Sequence, residues 1–333
     1  MVRSLNDLSI GIRGEPWFDD GNIILVTQDA PTAFRLHRGV LARHSEIFQD
    51  MFAIPQPSSE VEMFEGCQVV RMYDNPSELS NLVKALYDGV KFRNTNIQDF
   101  FYLAGILRLS TKYFISHLRM ASIQHLARTW SYTLKGHDEM VDKALSTPAI
   151  GDMTYPYVHP LHVLNLAREV NVNIVIPSTF YFLSIYPLAE IMQADHPKLK
   201  IEHPSKPSST LSLTDIQLYT LMFQHRLQVI QDFVRQFCSE KATSRKCPYS
   251  TACARGFSRL VSQLNRSWSL RTGPLHYMRQ AIKEVDHDST ICEACKTNFK
   301  EDVTHLRRKL WSELPVILGL PTWPELEVAE LPP

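Results

Sequence analysis

The stretch from residue 34 to residue 52, FRLHRGVLARHSEIFQDMF, places the tightest constraint on the fold of this chain. Phe34, Arg35 and Leu36 alternate between apolar and charged, which is the period of a half-buried strand. From Val40 onward the apolar residues recur at positions 40, 41, 47, 48, 51 and 52, which is the stripe of an amphipathic helix. The sequence therefore predicts one strand that leads directly into one helix.

The segments around this stretch extend the pattern to a small sheet with helices. Residues 22–27 (NIILVT) predict a strand that forms a hairpin with the strand at Phe34, and residues 67–72 (CQVVRM) alternate as a third strand. A helix is expected after Asn75, because Asn is a favoured cap, Pro76 suits the first turn and Gly89 suits the end. Two more amphipathic helices are expected at 97–109 and 113–127.

This first part of the chain resembles the BTB/POZ domain. Residues 34–52 are similar to the family signature, an F-R-x-H-[RK] strand end followed by V-L-A-x-x-S-x-x-F-x-x-M-F on a helix. LRLSTKY at 107–113 resembles an element of the branch expanded in fungi, and the similarity covers about residues 17–127. The resemblance implies an α/β (α+β) domain, a small mixed sheet surrounded by helices, that self-associates and docks other proteins. We expect this domain at residues 1–130 and an all-α domain at residues 131–333.

The resemblance also implies roles for polar residues near the hairpin. In many BTB domains an acid from the first strand region and the basic residue after the histidine form a charged pocket beside the dimer interface. Arg38 matches the basic position, whereas Asp20 matches the acidic one only approximately, because Gly21 and Asn22 separate it from the apolar run. The alternative is that Asp20 begins a turn and that Arg38 is solvated at a helix start. His37 fits a hydrogen-bonded core histidine better than a ligand.

A second implied site follows the signature helix, in residues 54–65, which we expect to form a loop. Several BTB proteins present substrates to cullin-type ubiquitin ligases through an apolar-x-Glu triplet in this loop. Met63, Phe64 and Glu65 have those residue types. A cullin scaffold is therefore one candidate partner, and an ordinary loop is the alternative.

Charge and hydropathy exclude several classes of protein. The 35 basic residues balance 35 acidic ones, so no overall field favours nucleic acid or an anionic membrane. Apolar runs stay well short of the ~20 residues that cross a bilayer, and the first residues lack the apolar core of a secretory signal. Six cysteines are too few for a disulfide scaffold. These features predict an intracellular protein, in the cytoplasm or the nucleus.

The second half of the sequence predicts helices separated by loops. Helices are expected at about 159–170, 177–185 and 214–238, with a connection at 146–159 and a flexible loop at 194–212. Aromatic residues concentrate at 180–186, where core packing explains them better than a ligand pocket does.

Metal chemistry is indicated only in the tail. Cys292 and Cys295 have the two-residue spacing of a zinc knuckle, and Cys247 and Cys253 could supply a second pair, with His287 or Cys238 as possible replacements. Four thiolates around one Zn²⁺ would leave no open position and therefore no catalysis. If zinc binds, the four sulfurs should converge to within about 4 Å of one another, given Zn–S bonds near 2.3 Å. The alternative is that they are buried thiols.

The leading hypothesis is a non-enzymatic, homodimeric BTB/POZ adaptor, with a cullin-type ubiquitin ligase as a candidate assembly. The competing hypothesis is a transcriptional regulator or nucleic-acid-binding protein that uses the basic, cysteine-bearing tail. The arginines of that tail are Arg255, Arg259, Arg266, Arg271 and Arg279. An enzyme is the weakest hypothesis, because the sequence lacks a glycine-rich phosphate loop, a Gly-x-Ser-x-Gly elbow and a His-Glu-x-x-His helix.

Overall fold

The computed structural model describes residues 12–28, 30–54, 61–151, 153–238, 243–267 and 273–332. The chain divides into two compact units. The first contains the residues up to His125 together with residues 168–171 and 201–208, and the second contains the remainder.

A five-stranded mixed sheet forms the centre of the first unit. Its strands are β1 (Ile12–Arg13), β2 (Ile23–Thr27), β3 (Thr32–Leu36), β4 (Met63–Phe64) and β5 (Cys67–Met72). The order across the sheet is β1-β3-β2-β5-β4. β2 pairs with β3 in the antiparallel sense, as predicted for the hairpin, and with β5 in the parallel sense. Every residue of β2 is buried, which explains the continuous apolar run at this position.

Five helices accompany the sheet. They are α1 (Arg38–His44), α2 (Glu46–Ala53), α3 (Pro76–Asp88), α4 (Ile97–Lys112) and α5 (Ser116–Thr129). α3 starts as predicted, because the Asn75 side chain accepts hydrogen bonds from the Ser77 and Glu78 amides. One face of β2 and β3 shares a core with these helices, whereas Ile24, Val26 and Phe64 belong to a smaller cluster beside Trp17.

The signature segment differs from the predicted single helix. Ser45 is extended, with φ −139° and ψ 119°, and it separates α1 from α2. Its hydroxyl accepts from the Phe48 amide at 3.1 Å and donates to the Tyr113 carbonyl at 2.6 Å. The prediction of one helix was therefore wrong, because a buried bond to a residue far along the chain holds Ser45 as the cap of a second helix.

The second unit is helical. Its helices are α6 (Leu134–Ser146), α7 (Pro160–Glu169), α8 (Ile176–Leu183), α9 (Leu188–Gln193), α10 (Leu213–Phe237), α11 (Ser250–Ser267), α12 (Gly273–His287), α13 (Glu293–Ile317) and α14 (Trp323–Glu330). Ion pairs between Arg307 and Asp138 and between Arg279 and Asp142, both at 2.6 Å, connect α6 to α13 and α12. The Trp311 and Trp323 rings stack with centroids 5.4 Å apart, so the end of the chain packs back onto the helices.

The loop at 194–212 contains close contacts that its composition does not predict. Lys198 and Leu199 lie in a short 3-10 helix, Pro197–Leu199, and both are buried, as is Ser205. The expectation of a flexible linker was therefore wrong for these residues. Within the described ranges, no helix combines the length and the hydropathy needed to cross a bilayer.

Candidate metal centre and docking surface

The four cysteines expected to form a metal site converge in the second unit. Cys247 precedes α11 and Cys253 lies in its first turn, while Cys292 caps α13 and Cys295 lies in the first turn of that helix. Their Sγ atoms all lie within 4.8 Å of one another, and the Cys247 and Cys292 sulfurs are 3.7 Å apart. This spacing is slightly wider than the expected 4 Å. The cluster therefore combines two sulfurs from the start of α11 and the turn before it with two sulfurs from the start of α13.

Backbone amides surround the sulfurs. The Cys292 amide donates to the Cys253 sulfur at 3.3 Å, and the Ser244 amide donates to the Cys295 sulfur at 3.3 Å. Amide donors and the positive ends of α11 and α13 both favour the thiolate form of cysteine, which is the form that binds metal. The second pair has a looser spacing, with five residues between Cys247 and Cys253, and it is accommodated because Cys247 lies in the turn before α11 rather than in the helix.

The thiol pKa shifts of Cys253, Cys292 and Cys295 differ in direction. Burial is the largest influence, and it raises the pKa of Cys253 and of Cys295. Burial acts in the same sense on Cys292, but hydrogen bonds from the Cys295 amide and from the neighbouring thiols lower the pKa of Cys292 below its ordinary value. Negative charge is therefore favoured more at Cys292, the N-cap residue of α13, than at Cys253 or Cys295.

The donor set fits a closed tetrahedral centre. Among the described residues, the cluster consists of four sulfurs without a carboxylate or an imidazole, which is the ligand set of a structural zinc site. The two alternative ligands lie outside the cluster. Cys238 is buried elsewhere, where burial raises its pKa to about 12, and His287 contacts the Lys283 carbonyl through Nδ1 at 2.6 Å.

The polar residues near the hairpin form a different arrangement from an Asp20–Arg38 pocket. His37 Nε2 lies 3.2 Å from Asp20 Oδ1. The His37 amide donates to the Tyr87 hydroxyl oxygen at 3.0 Å, so the hydroxyl hydrogen can donate to Nδ1, also at 3.0 Å. This assigns the ring hydrogen to Nε2, which donates to Asp20. The hydrogen bond from His37 lowers the pKa of Asp20.

Arg38 points toward α2 instead of Asp20. Its guanidinium donates to the Phe52 carbonyl and lies 4.9 Å from the centroid of the Phe52 ring. Its backbone amide donates to the Asn22 side chain at 2.8 Å, which fixes the start of α1. His37 is therefore hydrogen-bonded through both ring nitrogens, while Arg38 contacts the end of α2.

The Met63-Phe64-Glu65 triplet belongs to the sheet edge and not to an open loop. Met63 and Phe64 form β4, which pairs with β5 in the antiparallel sense. Phe64 is buried, whereas 48% of Met63 is exposed. Glu65 lies 3.1 Å from the Arg13 guanidinium and 3.6 Å from that of Arg35. The expectation of a loop over residues 54–65 was wrong for Met63 and Phe64, because pairing with β5 extends to them, whereas residues 55–60 lie outside the described residues.

The apolar face of α2 is divided between the core and the surface. Phe48 is buried in the core, where its ring stacks on Tyr113 at 4.7 Å. Ile47 is 38% exposed and Ile54 is 60% exposed. We call the exposed pair, Ile47 and Ile54, the α2 patch. Ile47 lies in the signature segment and Ile54 directly follows α2.

Some arginines of the basic tail form ion pairs with acidic residues, so the tail has less unpaired positive charge than its composition indicates. Arg259 pairs with Asp288 at 3.4 Å, and Arg279 pairs with Asp142. Arg255 is exposed on α11. The Arg266 side chain and Arg271 lie outside the described residues. These pairings reduce the charge available to phosphate groups.

Comparison with known proteins identified one domain family in the first part of the chain. A family model of the BTB/POZ domain matches residues 20–126. Searches of curated proteins and of solved structures gave no significant match.

Proposed function

Because residues 20–126 form a BTB/POZ domain, a protein-interaction module, we propose that the protein is a non-enzymatic adaptor that assembles as a homodimer. In this proposal residues 1–130 form the self-associating domain and residues 131–333 form a helical domain that presents a surface to a protein partner. The family match is the observation that carries the proposal. The sequence motifs include no nucleophile paired with a general base, which is consistent with a non-enzymatic role.

The α2 patch is the proposed dimer surface. Ile47 and Ile54 expose apolar area next to the core residue Phe48, so a partner could cover this area without repacking the core. If a second copy covers these side chains, association is favoured by roughly 25 cal/mol for each Å² of apolar surface that is removed from water. In a two-fold symmetric dimer, the α2 patch of one copy would contact the α2 patch of the other. Two-fold symmetry is the commonest symmetry of soluble oligomers.

Light scattering of the purified full chain tests the dimer. The wild type should show twice the 38.3 kDa chain mass at micromolar concentration. Ile47→Asp should give the monomer mass, because a buried pair of carboxylates at a two-fold interface is strongly unfavourable. Leu213→Asp is the matched control, since Leu213 is an exposed apolar residue at the start of α10. A monomeric wild type, or a dimeric Ile47→Asp variant, would overturn the proposal.

We also propose that Cys247, Cys253, Cys292 and Cys295 bind one structural Zn²⁺. The support is the convergence of four sulfurs at the starts of α11 and α13. Zinc would link the start of α11 and the turn before it to the start of α13, and its contribution would be on the order of 10 kcal/mol. With four protein ligands the ion would have no open position for catalysis.

Elemental analysis tests the zinc proposal. Protein purified without added chelator should contain one zinc per chain, and Cys292→Ser should contain none. Cys67→Ser is the matched control, because Cys67 is a buried cysteine of β5 outside the cluster. Wild-type protein that stays metal-free after incubation with Zn²⁺, or a Cys67→Ser variant that loses zinc as well, would contradict the assignment.

We further propose that the first domain attaches to a cullin scaffold and that Met63 is the contact residue. Its exposure at the edge strand β4 supports this role, while Glu65 is engaged by Arg13 and Arg35 and would act from within those ion pairs. Met63→Asp should abolish co-purification with a cullin. Tyr73→Asp, another exposed position of the same domain, should not. Equal recovery of cullin with both variants, or none with the wild type, would reject the cullin role and leave the dimer test unaffected.

A further inference from the structure

A buried arginine of the second unit lacks a partner for its charge. Arg226 on α10 is 3% exposed, and its Nε and Nη1 atoms have no hydrogen-bond partner among the described residues. The centroid of the Phe223 ring lies 5.1 Å from the guanidinium carbon, and a ring face compensates only part of a full charge. Guanidinium groups stay protonated in proteins, so the burial of Arg226 without a counter-ion is unfavourable. A small anion beside it would offset this cost.

Arg226 lines a small pocket, which we call the Arg226 pocket. Its volume is about 10 Å³, which is enough for one water molecule or one monatomic ion. Apolar residues form most of the wall, namely Met222, Val229, Pro274, Leu275, Leu310 and Leu314. Apolar walls lower the local dielectric constant and so strengthen the attraction between an ion and the guanidinium.

Two further features around the Arg226 pocket favour a negative charge. Tyr181 lines the pocket, and its hydroxyl oxygen accepts from the Leu275 amide at 3.0 Å, so the hydroxyl hydrogen can donate to a group inside. Burial raises the pKa of Tyr181, which keeps that hydrogen in place. Leu275 lies in the first turn of α12, and the N-terminal end of a helix carries partial positive charge.

The protein supplies no acid to this pocket. Among the residues that the structure describes, no carboxylate lines it. Asp138 is the acid whose charge acts on Tyr181, and its carboxylate is paired with Arg307 at 2.6 Å. Burial is the main influence on the pKa of Arg226, which it lowers, and no described carboxylate opposes it. The counter-ion of Arg226 would therefore come from the solution.

We propose that the Arg226 pocket binds one inorganic monoanion of the size of chloride. The anion would accept hydrogen bonds from the Arg226 guanidinium and from the Tyr181 hydroxyl, and it would thereby connect α10 to α8. The volume of the pocket excludes larger anions such as gluconate. A water molecule could satisfy the same donors but would leave the charge unpaired. Anion binding here does not depend on dimer formation or on zinc.

Thermal unfolding of the full chain in sodium chloride and in sodium gluconate of equal ionic strength tests this site. At about 150 mM salt, a site with a Kd of about 15 mM would raise the folding equilibrium constant about elevenfold in chloride. The midpoint of unfolding should then be higher in chloride by about 2 °C or more. Arg226→Met replaces the guanidinium with an apolar side chain and should lose this rise. Arg235→Met, at an exposed arginine of the same helix, should keep it.

A second measurement locates the anion without a variant. Bromide resembles chloride in size and scatters X-rays anomalously, so wild-type crystals grown in bromide should show an anomalous peak in contact with the Arg226 guanidinium and the Tyr181 hydroxyl. A pocket that holds only a water molecule in these crystals would overturn the proposal. Equal midpoints of the wild type in chloride and gluconate, or the same rise in Arg226→Met as in the wild type, would overturn it as well.

Discussion

His137 on α6 should make the stability of the second unit depend on pH. Its side chain is fully buried among the rings of Tyr181, Phe182 and Trp311, whose centroids lie 5.0 to 5.2 Å from that of the imidazole. Among the described residues, neither ring nitrogen has a hydrogen-bond partner. Such a site accepts a neutral imidazole and excludes the charged one.

The size of the effect follows from the pKa of His137. Burial, with a further contribution from the positive charge of Arg307, lowers this pKa from 6.5 to about 3. Protons then bind the unfolded chain more readily than the folded one, so the free energy of unfolding falls as the pH falls from about 6.5 toward 3. Each pKa unit corresponds to about 1.4 kcal/mol, which gives a loss of about 2 kcal/mol between pH 7.5 and pH 5.

Urea unfolding followed by tryptophan fluorescence measures this loss, because Trp311 contacts the imidazole. The variant His137→Phe keeps an aromatic ring and removes the titrating group. Its stability relative to the wild type should therefore rise by about 2 kcal/mol when the pH is lowered from 7.5 to 5. His305→Phe, on the exposed side of α13, leaves the buried imidazole in place and should keep the wild-type pH dependence.

The comparison between the two proteins carries the test, because other histidines also titrate in this range. If the wild type and His137→Phe lose equal stability between pH 7.5 and pH 5, the buried imidazole is not the source. A larger loss in His137→Phe would reverse the predicted sign.

Two further predictions concern the first unit. Asp74→Ala should lower its stability by about 2 kcal/mol in urea unfolding, because Asp74 accepts from Lys112 at 2.5 Å and from the buried Tyr113 hydroxyl, whereas Asp74→Asn should lower it less. Ser45→Ala should cost about 2 kcal/mol, because it removes both the α2 cap and the buried bond to Tyr113. A change below about 0.5 kcal/mol in either alanine variant would show that these bonds contribute little.

Local patterns in the sequence predicted most elements of the first unit, but not the short strands β1 and β4. The hairpin and the cap at Asn75 depend on residues close together in the chain, and the structure contains both. The break at Ser45 could not be predicted in this way, because the bond that holds it reaches the Tyr113 carbonyl. The pairing of Asp20 with His37 also escaped prediction, since it depends on how Tyr87 orients the imidazole.

The sequence also predicted the cysteine cluster but not the cavity of the second unit, because only the cysteines form a recognisable pattern along the chain. Two cysteine pairs suggested a metal centre from spacing alone, and the fold brings all four sulfurs together. A cavity of about 470 Å³ between α6, the segment 154–160, α8 and α9 had no signal in the sequence, because its walls come from segments up to about 70 residues apart. Of the aromatic run that suggested core packing, Phe180 and Tyr181 are buried, whereas Phe182 and Tyr186 line the cavity.

Amide hydrogen exchange on the full chain tests self-association through the α2 patch most directly. Exchange of the α2 amides, residues 46–53, should be slower at a concentration where light scattering shows a dimer than after dilution to the monomer, and Ile47→Asp should abolish this difference. Exchange at α2 that is the same at both concentrations, with protection appearing elsewhere on the chain, would contradict the central claim.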